Sequence, residues 1–157
     1  MTDKKALVST ETPSLTEATE AWLAVVQAYN ECSATLLHHI SPLGLSLLEH
    51  EVLMNLLRVD GMTQRQLSQR CYSAKSGISM LISRFERDGL IKRSPSPNDR
   101  RAMCLSLTTK GKSLAQDALL VQTKVVKQMA KAFSASDLCA IKSGMNTAAT
   151  LLRDMRA

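Results

Sequence analysis

"RFERDGLIKRSPSPNDRRAMCLSLTTKG", residues 84–111, changes its hydrophobic period twice within a short length of chain. Up to Phe85 the apolar residues keep a helical rhythm, with Ile78, Leu81, Ile82 and Phe85 on one side. Gly89 stands where a helix closes on a left-handed residue. Beyond it, "LIKRSP" and "AMCLSL" alternate with period two around "SPND", whose proline, asparagine and aspartate favour a turn. Leu105 and Leu107 then point one way, Cys104 and Ser106 the other. The stretch predicts a two-stranded ribbon with Asn98, Asp99, Arg100 and Arg101 at its tip, followed by a long helix from Thr108.

Upstream lie two further helix starts. Ser46 and Glu49 have capping-box spacing and open "SLLEHEVLMNLLR", with Leu48, Val52 and Leu56 facing inward and "VDG" ending it. Thr63 and Gln66 repeat the device and open "TQRQLSQRC". A turn around Cys71–Tyr72 leads to "SAKSGISMLISRFERDG", whose outer face, Lys75, Ser76, Ser79, Met80 and Ser83, offers little to a core. Two short helices in tight succession, the second with small polar residues and one lysine outward, make a helix-turn-helix. Gly77 inside such a helix costs ~1 kcal/mol relative to alanine, tolerable where a phosphate, a base edge or a packed neighbour comes close.

Outside this module run longer amphipathic segments. Residues 14–40 carry Ala18, Trp22, Val25, Val26, Tyr29, Cys32, Leu36, Leu37 and Ile40 on a helical stripe, broken by "SPLG". After the ribbon, Leu114, Ala118, Val121, Val125, Met129 and Ala132 or Phe133 form a second stripe. Beyond "SAS", Leu138, Ile141, Met145, Ala148, Leu152 and Met155 follow heptad-like spacing. These stripes exceed what the central module can cover, so the surplus is expected to pack helix on helix across a twofold axis. The fold expected is mainly α with a small β-wing. It comprises a tail (1–14), a dimerisation helix (15–45), a winged helix-turn-helix (46–112) and C-terminal dimerisation helices (113–157).

The chain has 157 residues and a net charge of +6. Between Arg58 and Lys112 stand Arg58, Arg65, Arg70, Lys75, Arg84, Arg87, Lys92, Arg93, Arg100, Arg101, Lys110 and Lys112. Only Asp60, Glu86, Asp88 and Asp99 oppose them, so the centre is strongly basic and the flanks are slightly acidic. Such a centre fits a polyanion. The first 14 residues lack a signal peptide's apolar run, and no stretch approaches the ~20 apolar residues of a membrane span, so a cytoplasmic protein without a membrane partner is expected. Cys32, Cys71, Cys104 and Cys139 are too scattered for a zinc site or a disulfide scaffold and read as small hydrophobes.

The order helix, helix, helix-turn-helix, wing, long helix, terminal helix resembles the MarR family of winged-helix transcription regulators, from about residue 20 onward. "GLI", "DRR" and "LTTKG" at this spacing carry the likeness, with "GLSLLEHEVLMNLL" resembling the family's second helix. The resemblance implies a homodimeric regulator, a repressor, on a pseudo-palindromic duplex operator. Ser73, Lys75, Ser76, Gly77, Ser79, Met80 and Arg84 would face the major groove or its phosphates. Thr63 and Gln64 would offer helix N-terminal amides to phosphate. At the wing, Asn98, Arg100 and Arg101 can enter the minor groove, where the negative potential concentrates. Asp99 is expected to bond one of the arginines and hold its geometry; the alternative is an exposed ion pair that merely stiffens a loop.

The resemblance also implies a small aromatic or anionic effector between the dimerisation helices and the DNA-binding lobe, with Trp22, His38, His39, His50, Met54 and Arg58 as candidate contacts. Some family members sense oxidants through a first-helix cysteine. Cys32 is the candidate for that alternative, although its apolar stripe argues for burial and a raised pKa. A winged-helix module binding protein rather than DNA is the other alternative. His38 and His39 point about 100° apart on a helix and cannot readily share a metal, so no metal or other cofactor is expected. No phosphate loop, HExxH or GxSxG is present, and no catalysis is expected.

Overall fold

The computed structural model describes residues 12–71, 77–96 and 102–156. Helix α1 (Leu15–Ile40) opens on Ser14, whose hydroxyl accepts from the Glu17 amide while the Glu17 carboxylate accepts from the Ser14 amide. A 3-10 turn at Ser41–Leu43 and Gly44, left-handed at φ 73°, end it. Helix α2 (Leu47–Arg58) begins at the Ser46–Glu49 capping box, and Thr63–Gln66 caps α3 (Gln64–Arg70) in the same way. Both boxes satisfy amides that the first turn of a helix leaves unpaired.

Helix α4 (Ile78–Arg87) follows Gly77, which itself keeps right-handed helical angles of φ −84° and ψ −16°. A β-carbon at Gly77 would make only ordinary contact, 3.4 Å from a Leu48 methyl.

The ribbon is three-stranded. β2 (Ile91–Pro95) pairs antiparallel with β3 (Met103–Leu107) from Ile91↔Leu107 to Pro95↔Met103. The other edge of β3 is taken by β1 (Met62–Thr63), at Met62↔Leu105 and Thr63↔Cys104. Two residues are too few to display a period, which is why β1 was not expected. Its presence makes β3 the central strand, and Cys104, Leu105, Ser106 and Leu107 are all buried.

The core is built from Ile40, Val52, Leu53, Leu56, Leu67, Ile78, Ile82, Ile91 and Leu105. Helix α5 (Thr109–Ala130) closes it through Ala115 and Ala118. The junction of wing and helix explains "DGLI…LTTKG". Gly89 is left-handed (φ 72°) just past α4. The Thr108 hydroxyl donates to the Gly89 carbonyl at 2.6 Å and accepts from the Gly111 amide at 3.1 Å. Thr108 N–H donates to the Leu90 carbonyl at 3.0 Å, and Lys110 Nζ to the Asp88 carbonyl at 2.9 Å. A β-carbon at position 111 would lie 2.0 Å from the Leu90 oxygen, so only glycine fits.

Helix α6 (Ala135–Asp154), capped by Ser134 and Asp137, contains no buried residue. Leu138, Ile141, Met145, Leu151 and Leu152 on it are exposed, as are Trp22 and Tyr29 on α1 and Leu120 and Met129 on α5. No helix among the described residues is long and apolar enough to cross a membrane.

Gly111→Ala should therefore lower folding stability by about 1–3 kcal/mol or more, because the clash is with backbone and not with a movable side chain. Urea denaturation followed by circular dichroism measures it, and an unchanged midpoint would contradict the junction.

Candidate nucleic-acid interface

On α4, Ile78, Leu81, Ile82 and Phe85 are buried, while Ser79, Met80, Ser83, Arg84 and Arg87 are exposed. A 3.6-residue period puts Met80, Ser83 and Arg87 on one outward stripe. Ser83 and Arg87 were not among the expected contacts; their i, i+3, i+7 spacing from Met80 is the sequence signal that marks them.

Arg84 keeps 47 % of its side chain exposed at the edge of this face. Its guanidinium pairs with the Glu49 carboxylate, and its Cζ stands 5.8 Å from the centre of the Phe85 ring. The other Glu49 oxygen accepts from the Ser46 amide at 2.6 Å. Arg84 thus ties α4 to the N-terminus of α2, and its place is that of a positioning residue. Helical periodicity puts position 84 on the border of the outer face, and only the tertiary fold brings Glu49 beside it. Between these helices lies a groove of about 410 Å³ lined by Ser46, Leu48, Glu49, Gly77, Met80, Leu81 and Arg84.

Thr63 is occupied within the chain as well. Its hydroxyl accepts from the Gln66 amide at 3.2 Å, and its own amide donates to Gln66 Oε1 at 2.8 Å. Gln64 is half-buried, whereas Arg65 and Arg70 on the same helix are exposed. In the wing, Arg93 Nε donates to Glu86 Oε2 at 2.9 Å, bracing β2 against α4. Ser73, Lys75, Ser76, Asn98, Asp99, Arg100 and Arg101 lie outside the described residues.

The six effector candidates fall into different environments. Trp22, His38, His39 and Arg58 are exposed, the two imidazoles 5.1 Å apart edge to face. Met54 belongs to the apolar core. His50 is buried at 6 % exposure on α2. Its Nε2, like Gln122 Oε1 of α5, is enclosed without a hydrogen-bond partner among the described residues. Burial pushes the His50 imidazole below its usual pKa; Glu51 opposes that shift, Arg58 adds to it, and the Gln122 amide opposes it. None of the six borders the groove of about 300 Å³ between α1 and α5, which is lined by Ala28, Glu31, Cys32, Thr35, Val125, Gln128 and Met129. Cys32 is half-buried there, while burial pushes the Cys71 thiol up to about 11 and makes it inert. Among the described residues no three His, Cys, Asp or Glu side chains gather as metal ligands.

A helix pair with an uncovered second helix, flanked by an antiparallel sheet of order β1-β3-β2, defines a winged helix-turn-helix protein. Residues 43–102 match the model of the MarR family. The whole fold is similar to AbsC, a MarR family transcriptional regulator from Streptomyces coelicolor, with TM-score 0.78 and 24 % identity over 92 % of this chain and 99 % of that one. It is also similar to the transcriptional repressor CouR bound to a 23-mer DNA duplex, with TM-score 0.70 and 23 % identity over 88 % and 99 % of the two chains. An uncharacterized HTH-type transcriptional regulator from Bacillus cereus is 24 % identical over 98 residues, 62 % of this chain and 65 % of that protein.

Because folding depresses the His50 pKa, its contribution to stability is complete above the unfolded value of about 6.5 and is lost as pH falls toward the folded one. The thermal midpoint of the native chain should drop between pH 7.5 and 5.5 more steeply than that of His50→Gln. Parallel pH profiles would count against a buried neutral imidazole.

Proposed function

We propose that the chain is a sequence-specific, duplex-DNA-binding transcriptional regulator that works as a homodimer, a repressor released by a small aromatic or anionic effector. One observation carries the reading: α4 leaves Met80, Ser83 and Arg87 uncovered on one stripe, within the most basic segment of the chain. Arg65 and Arg70 are exposed on the preceding helix and add positive charge for phosphates. The likeness to CouR, a repressor bound to DNA, supports the same use of the helix.

A second copy is the occupant that suits the exposed apolar residues of α1, α5 and α6. Burying a leucine, isoleucine or methionine contributes about 1.5–3 kcal/mol. A set that includes Leu138, Ile141, Met145, Leu151 and Leu152 on one helix is therefore a strong drive to associate. In this reading residues 15–45 and 113–157 form the dimer and residues 46–112 the DNA-binding lobe. Two lobes must meet successive grooves ~34 Å apart, so an effector seated near His50 and Gln122 would act by altering their spacing. No catalytic step is assigned, and the work is that of a cytoplasmic regulator.

Duplexes selected from a random-sequence pool by the full-length protein test this. Binding measured by fluorescence anisotropy at two salt concentrations should weaken steeply as salt rises, and indifference to salt would favour the protein-interaction alternative. Replacing Arg100 and Arg101 together by alanine should weaken binding by at least ~2 kcal/mol without loss of the dimer. Deleting residues 134–157 should yield monomers or aggregates by light scattering; a stable, DNA-competent dimer would overturn the assembly.

A further inference from the structure

We propose that Met80 reads the 5-methyl group of a thymine in the major groove, as the apolar specificity contact of each recognition helix. This rests on the duplex-binding reading above and goes beyond it by assigning a base and an atom. Met80 is in the first turn of α4, the end at which recognition helices contact base edges. It is 77 % exposed, whereas the other large apolar residues of α4 (Ile78, Leu81, Ile82 and Phe85) are all buried. Nothing in the chain's own core calls for a methionine there.

Its neighbours sharpen the assignment. Among the described residues Arg84 is the long cation one turn on from Met80, and Glu49 holds it at the edge of the outer face. Ser79 and Ser83 flank it on the outer face. A serine hydroxyl both donates and accepts, and so discriminates poorly between base edges. Arg87 stands at the far end of the helix, suited to backbone phosphate. Met80 has no hydrogen to donate and only a weak acceptor sulfur, so its complement is an apolar group. The major groove offers one such group, the thymine C5-methyl, which no other base carries. Leu48 and Leu81 line the groove beside Met80 and present an apolar wall along its inner side. An unbranched thioether between that wall and a methyl can adjust its torsions to fill the gap.

Deoxyuridine provides the test, because it pairs like thymidine and lacks only the methyl. A duplex selected by the full-length protein is resynthesised with each thymidine in turn replaced by deoxyuridine, symmetrically in both half-sites. Losing one buried methyl per half-site should weaken the native protein about fourfold per half-site at one position. Met80→Ala, a change at an exposed site that leaves the fold intact, should bind the thymidine and deoxyuridine duplexes equally. Met80→Leu should retain the preference. Binding unaffected by deoxyuridine at every position overturns the inference alone, as does a thymine preference that survives in Met80→Ala. Failure to retain any duplex at low salt overturns the duplex-binding reading and the inference together.

Discussion

The Leu90 carbonyl oxygen occupies the space that a side chain at position 111 would need, and much of the geometry follows from that approach. It lets the start of α5 lie directly on the first residues of the wing. Thr108 completes the junction by capping α5 while bonding to the carbonyls of Gly89 and Leu90. The exit of α4, the wing and the long helix are thereby held in one rigid relation, with Arg93–Glu86 bracing wing and helix from the other side. A helix aimed outward is useful for recognition only if its aim is fixed, and backbone-to-backbone contact fixes it more firmly than long side chains do.

Around that junction the molecule divides into a satisfied part and an unsatisfied one. The apolar core from Ile40 to Ala118 is closed, and α2 and α3 within it begin on reciprocal caps. The amino-terminal half of α1 and α6 hold no buried residue. Among the described residues those exposed stripes and the outward face of α4 differ in chemistry. One is broadly aliphatic; the other is small, polar and basic around a single methionine.

Much of this was legible in the residues. The capping boxes at Ser46–Glu49 and Thr63–Gln66, the left-handed Gly89 and the change of period at Leu90 are local signals, set by bonds between residues a few positions apart. The missed features all depend on distant partners. β1 is too short to show a period and exists because β3 has a free edge. The ion pair of Arg84 joins it to a carboxylate 35 positions upstream, beyond the reach of any local pattern. His50 sits on α2 among residues that could face either way, and α5 decides that it is enclosed.

The sequence by itself determined where α2, α3 and α5 start and which stripe of each helix is apolar. It also determined where the positive charge lies, since caps, periodicity and charge are properties of neighbours along the chain. Tertiary structure alone decided which polar side chains remain free to act. Arg84 and Thr63 are engaged by Glu49 and Gln66, while Met80, Ser83 and Arg87 face outward. The reason is physical: a side chain's availability depends on what the fold brings within bonding distance, and loop closure brings together groups that no local pattern connects.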